Sequence, residues 1–182
     1  MKTNNHSGFT LIELLIVIAL LGTLAVALLA AIDPFEQFKK ATDTGVRNTA
    51  QEFYNASIRF YAQRNGWPSQ WAAAFTDTAG VQIGRGDPND IVTGLVTSSE
   101  LKQNFVELAE DQLDKIYVAR QGESKLMVCF APQSNSFLNA DRNVKFTTVD
   151  LDVSGNPSTD ASTTAGTCQV HGGAGPCYWC LY

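Results

Sequence analysis

The sequence predicts an α+β fold, in which one long N-terminal α-helix packs on a small antiparallel β-sheet head that ends in a cysteine-rich loop. Three observations predict this fold. The first part of the helix is almost wholly apolar, its second part carries apolar residues at helical spacing, and the strand-like runs all come later in the chain. The 182 residues, 45% of them hydrophobic and with a net charge of −5, suit one modest globular domain plus an appendage.

The appendage is the apolar run over residues 9–32, whose only polar side chains are Thr10, Glu13 and Thr23. As a helix it would be about 36 Å long, which is enough to cross a hydrocarbon core of about 30 Å with some tilt. No second span follows. Because the short flank before the run carries Lys2 and the α-amino group, the N-terminus is expected to remain cytoplasmic and the head to lie outside the cytoplasm.

An acid within an apolar span needs a physical explanation, since an ionised acid at the centre of a membrane helix costs about 2.5 kcal/mol or more. The acid here is Glu13, and the residues around it, Gly8-Phe9-Thr10-Leu11-Ile12-Glu13-Leu14, resemble the cleavage and methylation motif of type IV prepilins and of the pseudopilins of type II secretion. The resemblance covers the first third of the chain. It implies that prepilin peptidase cuts after Gly8 and that Phe9 becomes the N-methylated terminus.

The same resemblance implies that Glu13 meets the terminal amine of a neighbouring subunit during assembly. Pairing would remove the cost of an isolated carboxylate in lipid and would set the axial register of the stacked helices. The alternative is that Glu13 reaches the membrane interface by itself. The implied partners are other copies or related pilin subunits, prepilin peptidase, an inner-membrane assembly platform and, before assembly, membrane lipid. The implied location is the inner membrane first and a cell-surface filament afterwards.

The helix is expected to continue beyond the span to about Asn65, with a kink where Asp33 can cap and Pro34 suits a first helical turn. One helix over this length would be roughly 85 Å long. The predicted organisation is therefore a cleaved leader over residues 1–8, a transmembrane and assembly half of the helix over 9–32, an amphipathic half over 33–65 and a pilin-like extracytoplasmic head over 66–182.

Within the head, the pattern predicts short helices followed by an antiparallel meander of three strands. A long loop over residues 76–94 contains the tripeptide Arg85-Gly86-Asp87, for which chance is a simpler explanation than integrin binding. The predicted helices are "PSQWAAAF", capped by Ser69, and "TSSELKQNFVELA", starting near Ser98 or Ser99; the predicted strands are "KIYVAR", "KLMVCFAP" and "VKFTTVDLDV".

Four cysteines, all beyond the span, allow two interpretations. An even number in an exported domain favours disulfides, with Cys129 bonded to one of the tail cysteines Cys168, Cys177 and Cys180, although the sequence does not select among three connectivities. The less favoured alternative is a zinc site formed by Cys168, His171, Cys177 and Cys180. A calcium site is a further minor alternative, and its oxygen ligands would come from Asp150, Asp152, Asn156 and Asp160.

No catalytic fingerprint is present, so the sequence favours a structural subunit over an enzyme, with no cofactor. The mild negative charge offers no basic stripe for duplex binding, and no specific nucleic-acid partner is inferred. The predicted role is a filament subunit that serves adhesion, motility, DNA uptake or secretion. The alternatives are a pseudopilin of type II protein secretion and a membrane-anchored binding or enzymatic domain; a bridged C-terminal loop leans toward a pilus subunit.

Overall fold

The computed structural model of the chain describes residues 8–31, 33–75, 79–122, 124–140, 146, 149, 151 and 177–182. The chain divides into two compact units, Met1–Gln37 and Phe38–Tyr182, and the second unit contains the head. The architecture is α+β, with a helical N-terminal part and a four-stranded antiparallel sheet, which confirms the predicted fold class.

Helix α1, Leu11–Ala31, is the apolar segment, and its described side chains from Leu11 to Leu29 are all exposed. Helix α2, Pro34–Arg64, follows it. The single helix expected over residues 9–65 is thus divided into two helices. Asp33 Oδ1 accepts hydrogen bonds from the amides of Phe35 (3.1 Å) and Glu36 (3.2 Å), as an N-cap does. Since Pro34 has no amide hydrogen to donate to the preceding turn, a new helix begins here, at the predicted cap.

The amphipathic face of α2 forms one wall of the core of the head. Val46, Ala50, Phe53, Ser57 and Phe60 recur at intervals of three or four residues and are all buried. The apolar members of this stripe share one cluster with the inward-facing residues of the sheet, among them Ile116, Val118, Leu126, Val128 and Phe130. The expectation that the second half of the helical region packs on the sheet is confirmed.

The sheet has the order β1-β2-β3-β4 and every neighbouring pair is antiparallel. Strands β2, Ile116–Gln121, and β3, Lys125–Phe130, are the first two predicted strands and pair along their whole length. The remaining strands are short: β1, Val81–Gln82, lies inside the predicted loop, and β4, Trp179–Leu181, lies at the C-terminus. Neither was predicted, because two or three residues are too few for alternation to be visible.

The third predicted strand, over residues 144–153, lies mostly outside the described residues. Of its described members, Phe146 forms an antiparallel bridge with Tyr178, while Val149 and Leu151 are buried. The place beside β3 in the sheet belongs to β4, with Cys129 opposite Cys180. A second apolar cluster covers the sheet face away from α2, and its members are Ala119, Met127, Cys129, Phe146, Val149, Leu151 and Cys180.

The short helices differ from the prediction at their starts. Helix α3, Trp71–Ala74, begins after Gln70 without a side-chain cap, so the expected cap at Ser69 is wrong. Helix α4, Thr93–Thr97, and helix α5, Phe105–Leu113, replace the single helix expected from Ser98 or Ser99. Ser99 has a positive φ of 65°, and the amide of Glu100 returns to the carbonyl of Leu95, so this segment ends α4 instead of starting α5.

Helix α6, Asn135–Ala140, lies in a segment expected to be a turn. Its start is held from a distance by Asp43 of α2, which is only 2% exposed. The Asp43 carboxylate accepts hydrogen bonds from the amides of Gln133 (3.0 Å) and Ser134 (2.7 Å). A carboxylate can bind the amides that are left free at the start of a helix. Here the carboxylate lies 90 residues earlier in the chain, so no local sequence pattern predicts this contact.

Candidate processing and assembly site

Gly8 and Phe9 form an exposed, non-helical segment directly before α1. Phe9 is 85% exposed, and within the described part of the chain no atom beyond the adjoining residues lies within 4 Å of the position that a Cβ on Gly8 would occupy. A non-helical and uncovered peptide is accessible to a protease active site, whereas a helical peptide must first unfold locally. The Gly8–Phe9 bond therefore lies where cleavage requires no unfolding of α1.

Thr10 and Glu13 form a reciprocal capping box at the start of α1. The Thr10 hydroxyl oxygen accepts a hydrogen bond from the amide of Glu13 (3.3 Å). In return, Glu13 Oε2 accepts hydrogen bonds from the Thr10 amide (3.3 Å) and the Thr10 hydroxyl (3.1 Å). This arrangement satisfies amides that the first helical turn leaves without partners.

The capping box is a second role of Glu13, and it was not predicted from the sequence. The signal was present, because Thr10-Leu11-Ile12-Glu13 is an S/T-x-x-E sequence before an apolar run. Within the described part of the chain, Oε2 takes both Thr10 bonds and Oε1 receives none. The carboxylate is therefore oriented by its own chain while one oxygen remains open.

Leu11–Leu29 is long and apolar enough to cross a membrane, and no part of it is buried. Nineteen residues of helix span about 28 Å, close to the thickness of a hydrocarbon core. Large apolar side chains point to all sides of α1, among them Leu14, Ile18, Leu21 and Leu28. A helix that is apolar all round is stable only where lipid or other protein covers it.

A comparison with protein-family models finds the prokaryotic N-terminal methylation motif over residues 3–29. The chain carries a prepilin motif. This motif is typical of type IV pilins and pseudopilins, the families whose motif the sequence resembles. No curated protein matches the chain, and no solved structure matches it.

The motif carries general implications for this chain. Proteins with it are usually structural subunits without enzymatic activity. It implies processing by prepilin peptidase and assembly into a pilus-like structure. Together with the apolar helix, it indicates anchoring in the inner membrane followed by assembly at the surface.

The described cysteines are oxidised. Cys129 of β3 forms a disulfide with Cys180 of β4, which is one of the connectivities that the sequence left open. Cys177 is also disulfide-bonded, to a partner outside the described residues, where Cys168 and His171 also lie. Because Cys177 and Cys180 are in disulfides, neither offers a thiolate, and the zinc alternative is wrong for the oxidised protein. The calcium alternative (Asp150, Asp152, Asn156 and Asp160) lies outside the described residues.

The Arg85-Gly86-Asp87 tripeptide is engaged within the head. Asp87 is 4% exposed, and its Oδ2 accepts hydrogen bonds from the amides of Val92 (2.8 Å) and Thr93 (2.7 Å) at the start of α4. Arg85 forms ion pairs with acidic side chains of α5 and of the residue after it, Glu110, Asp111 and Asp114. A buried carboxylate cannot be presented to a receptor, so the tripeptide has a structural role.

Two tyrosines of the head have raised pKa values. Burial raises the pKa of Tyr178, and the neighbouring Tyr117, whose ring centroid lies 5.6 Å away, raises it further. Burial also raises the pKa of Tyr54 on α2. These shifts favour the neutral phenols that a folded core requires. Among the described residues, no group of three or more histidine, cysteine or acidic side chains is placed to hold a metal ion.

Proposed function

We propose that this chain is the precursor of a structural filament subunit, cut after Gly8, methylated on Phe9 and polymerised through the helix that follows. The observation that carries the proposal is the exposed, non-helical Gly8–Phe9 segment directly before an apolar helix whose first turn holds Glu13. The predicted organisation remains part of this proposal, with a leader over residues 1–8, a membrane and assembly segment over 9–32, an amphipathic segment over 33–65 and a head over 66–182.

Cleavage would create a positive amine on Phe9, only four residues before Glu13. In the assembly step, the amine of one subunit pairs with the Glu13 carboxylate of another. Thr10 supports this step because its two hydrogen bonds fix Oε2 and leave Oε1 open toward a cation. A carboxylate that is already oriented loses less conformational entropy when the cation arrives. The pairing also lowers the cost of placing the acid among apolar helices.

The exposed surface of α1 provides the driving force for the two successive states of the subunit. Before assembly, lipid covers its leucines, isoleucines and valines, and in the filament the helices of other subunits cover them. The head has a separate core of its own and a disulfide between β3 and β4. The head therefore remains folded while α1 moves from lipid into protein.

The bridged C-terminal strand favours a pilus subunit over a pseudopilin, because a disulfide protects the fold of a head that is exposed at the cell surface. The filament then serves adhesion, motility or DNA uptake. In the pseudopilin alternative the same head acts in protein secretion. Deletion of the gene, followed by electron microscopy of surface filaments and by secretion and transformation assays, distinguishes the two.

The direct test is the N-terminal sequence and mass of the chain purified from its native membrane and from sheared surface material. The proposal expects surface material that begins with methylated Phe9, followed by Thr-Leu-Ile-Glu. Material that still begins with Met1 in both fractions would contradict it and would favour the membrane-anchored binding or enzymatic domain. Expression with and without a prepilin peptidase provides the control. The chain should become shorter only when the peptidase is present.

A further inference from the structure

The head contains an open cleft of about 380 Å³ at the C-terminal end of α2. Its walls come from the last turn of α2, the segment leading into α3, and α4. The side chains that matter for binding are those of Arg64, Trp67, Ser69, Gln70, Thr97 and Ser98. None of these residues takes part in the proposed processing or assembly.

The cleft is preformed by a close contact between Gly94 of α4 and the side chain of Pro68. A Cβ on Gly94 would lie 2.6 Å from the Cβ of Pro68, so only glycine lets α4 approach this closely. Behind the cleft, the ring of Trp67 stacks on that of Trp71 with centroids 5.3 Å apart, and Tyr61 covers it on another side at 4.8 Å. A rigid wall of this kind lowers the entropy that a ligand must lose on binding.

The lining offers hydrogen-bond donors and acceptors side by side. Arg64 is exposed, lies over the ring of Phe60 at 4.9 Å, and forms no ion pair with a described residue. The Ser69 hydroxyl donates to Gln70 Oε1 (3.3 Å), which orients the amide and leaves its NH₂ group to donate.

The opposite wall supplies acceptors. The hydroxyls of Thr97 and Ser98 donate to carbonyls within α4, Thr97 to those of Thr93 and Gly94 and Ser98 to that of Leu95. Their oxygen lone pairs therefore remain available to a ligand. Paired donors on one side and acceptors on the other match a molecule in which neighbouring hydroxyl groups both donate and accept.

The charge of the cleft excludes other ligand classes. Among the described residues no carboxylate lines it, so it lacks the charged oxygen ligands that favour a cation. Both α2 and α4 end at the cleft, and the negative ends of two helix dipoles oppose a multiply charged anion despite Arg64. The polar lining likewise disfavours an apolar molecule.

We propose that this cleft is a binding site for a neutral saccharide of one or two rings. Its volume lies at the lower end of the range for small-molecule sites, which suits a ligand of this size. The site goes beyond the filament role and does not depend on it, since every residue in it belongs to the head. In a surface filament it would place a carbohydrate-binding site on each subunit.

Trp67 gives the proposal a sharp probe. Trp67 lines the cleft, while its indole Nε1 is buried and has no hydrogen-bond partner among the described residues. A buried donor without an acceptor is unfavourable, so removing it should not destabilise the fold. Trp67→Phe removes this donor and keeps an aromatic ring against Trp71.

The experiment titrates the full-length protein, solubilised in a detergent without a sugar headgroup, with lactose and with di-N-acetylchitobiose, and follows binding by saturation-transfer NMR. The proposal expects one of these neutral disaccharides to bind with a Kd in the millimolar range. Arg64→Met and Gln70→Leu each remove one hydrogen-bonding group, Trp67→Phe makes the aromatic wall smaller, and at least two of the three should raise that Kd about fivefold or more. Lys125→Ala, a change at an exposed residue of β3 outside the cleft lining, is the matched control and should leave it unchanged.

Three results would overturn the proposal: no binding of either neutral disaccharide, tighter binding of sialyllactose than of lactose, or equal Kd values in all three cleft variants and the wild type. Thermal unfolding of each variant shows whether a loss of binding comes from a loss of fold. Because the titration uses detergent-solubilised protein, its outcome is independent of whether the chain forms filaments.

Discussion

The two long helices distribute their apolar side chains differently. In α1 they lie on every side and are exposed from Leu11 to Leu29, whereas in α2 they form one stripe from Val46 to Phe60 that is buried against the sheet. The stripe on α2 stabilises the fold of the head. The surface of α1 requires cover from lipid or from other subunits. Substitutions in the two helices should therefore change different properties, assembly for α1 and stability for α2.

The largest effect is expected from Gly8→Val. A side chain at the last leader residue should block the peptidase, so that filaments fall below detection and the uncut chain accumulates. The fold should not change, because the added Cβ would meet none of the described residues beyond its chain neighbours within 4 Å. Gly22→Ala is the control and should be processed normally, because apart from its own helix no described atom lies within 4 Å of a Cβ at this position in α1. Mass spectrometry of membrane and surface fractions measures the cleavage of both variants. Normal cleavage of the Gly8→Val chain would refute this expectation.

Glu13→Gln should reduce surface filaments at least about tenfold, since a charge-assisted bond of about 1.5–3 kcal/mol is lost. The melting temperature of the head should stay the same. Thr10→Val removes the hydroxyl of the capping box and keeps the acid. It should reduce surface filaments less than Glu13→Gln does, because a helix cap contributes about 1 kcal/mol. Quantitative immunoblots of sheared filaments compare the two. Equal yields for Glu13→Gln and wild type would rule out the pairing mechanism.

Within the head, the Cys129–Cys180 disulfide should contribute about 4 kcal/mol to the free energy of unfolding, the value for a loop of this length. The double variant Cys129→Ala/Cys180→Ala should therefore unfold at a lower denaturant concentration. Insertion of α1 into the membrane should not change, because the disulfide lies in the head. Urea unfolding followed by tryptophan fluorescence, together with membrane fractionation, tests both statements. A loss of insertion would show that α1 depends on the fold of the head.

Asp43→Ala should lower the free energy of unfolding by about 3 kcal/mol, because two amides at the start of α6 lose their buried acceptor. Glu52→Ala changes an exposed acid on the same helix and should alter stability by less than about 0.5 kcal/mol. Thermal unfolding by circular dichroism measures both variants. If both variants lowered the free energy of unfolding by the same amount, the hydrogen bonds from Gln133 and Ser134 would not account for the effect of Asp43→Ala.

The smallest effect concerns alkaline pH. Because the pKa of Tyr178 is raised above its ordinary 10.0 in the folded head, folding favours the neutral phenol. Its contribution is fully present below pH 10 and is lost as the pH rises through the raised value. Tyr178→Phe should therefore flatten the fall in melting temperature above pH 10. Tyr182→Phe, at a residue that is 60% exposed, is the control. A steeper fall for Tyr178→Phe would contradict the assignment.

The sequence predicted the elements that depend on local patterns. The apolar run, the Asp33 cap with Pro34 after it, and strands β2 and β3 all follow from periodicity and turn chemistry. The start of α5 was misplaced, because Ser98 and Ser99 looked like caps while the chain used them to end α4. At the candidate site the acid was found, but its bond to Thr10 was missed, although that pair is also a local pattern.

What the sequence determined by itself is the motif around Gly8 and Glu13 and the apolar length of α1, because both are properties of consecutive residues. Only the tertiary structure decided the rest. It selected Cys180 as the partner of Cys129, placed Asp43 at the start of α6, and formed the cleft beside Arg64. Each of these joins segments far apart in the chain, and which distant segments meet depends on how the whole core packs, not on any local spacing.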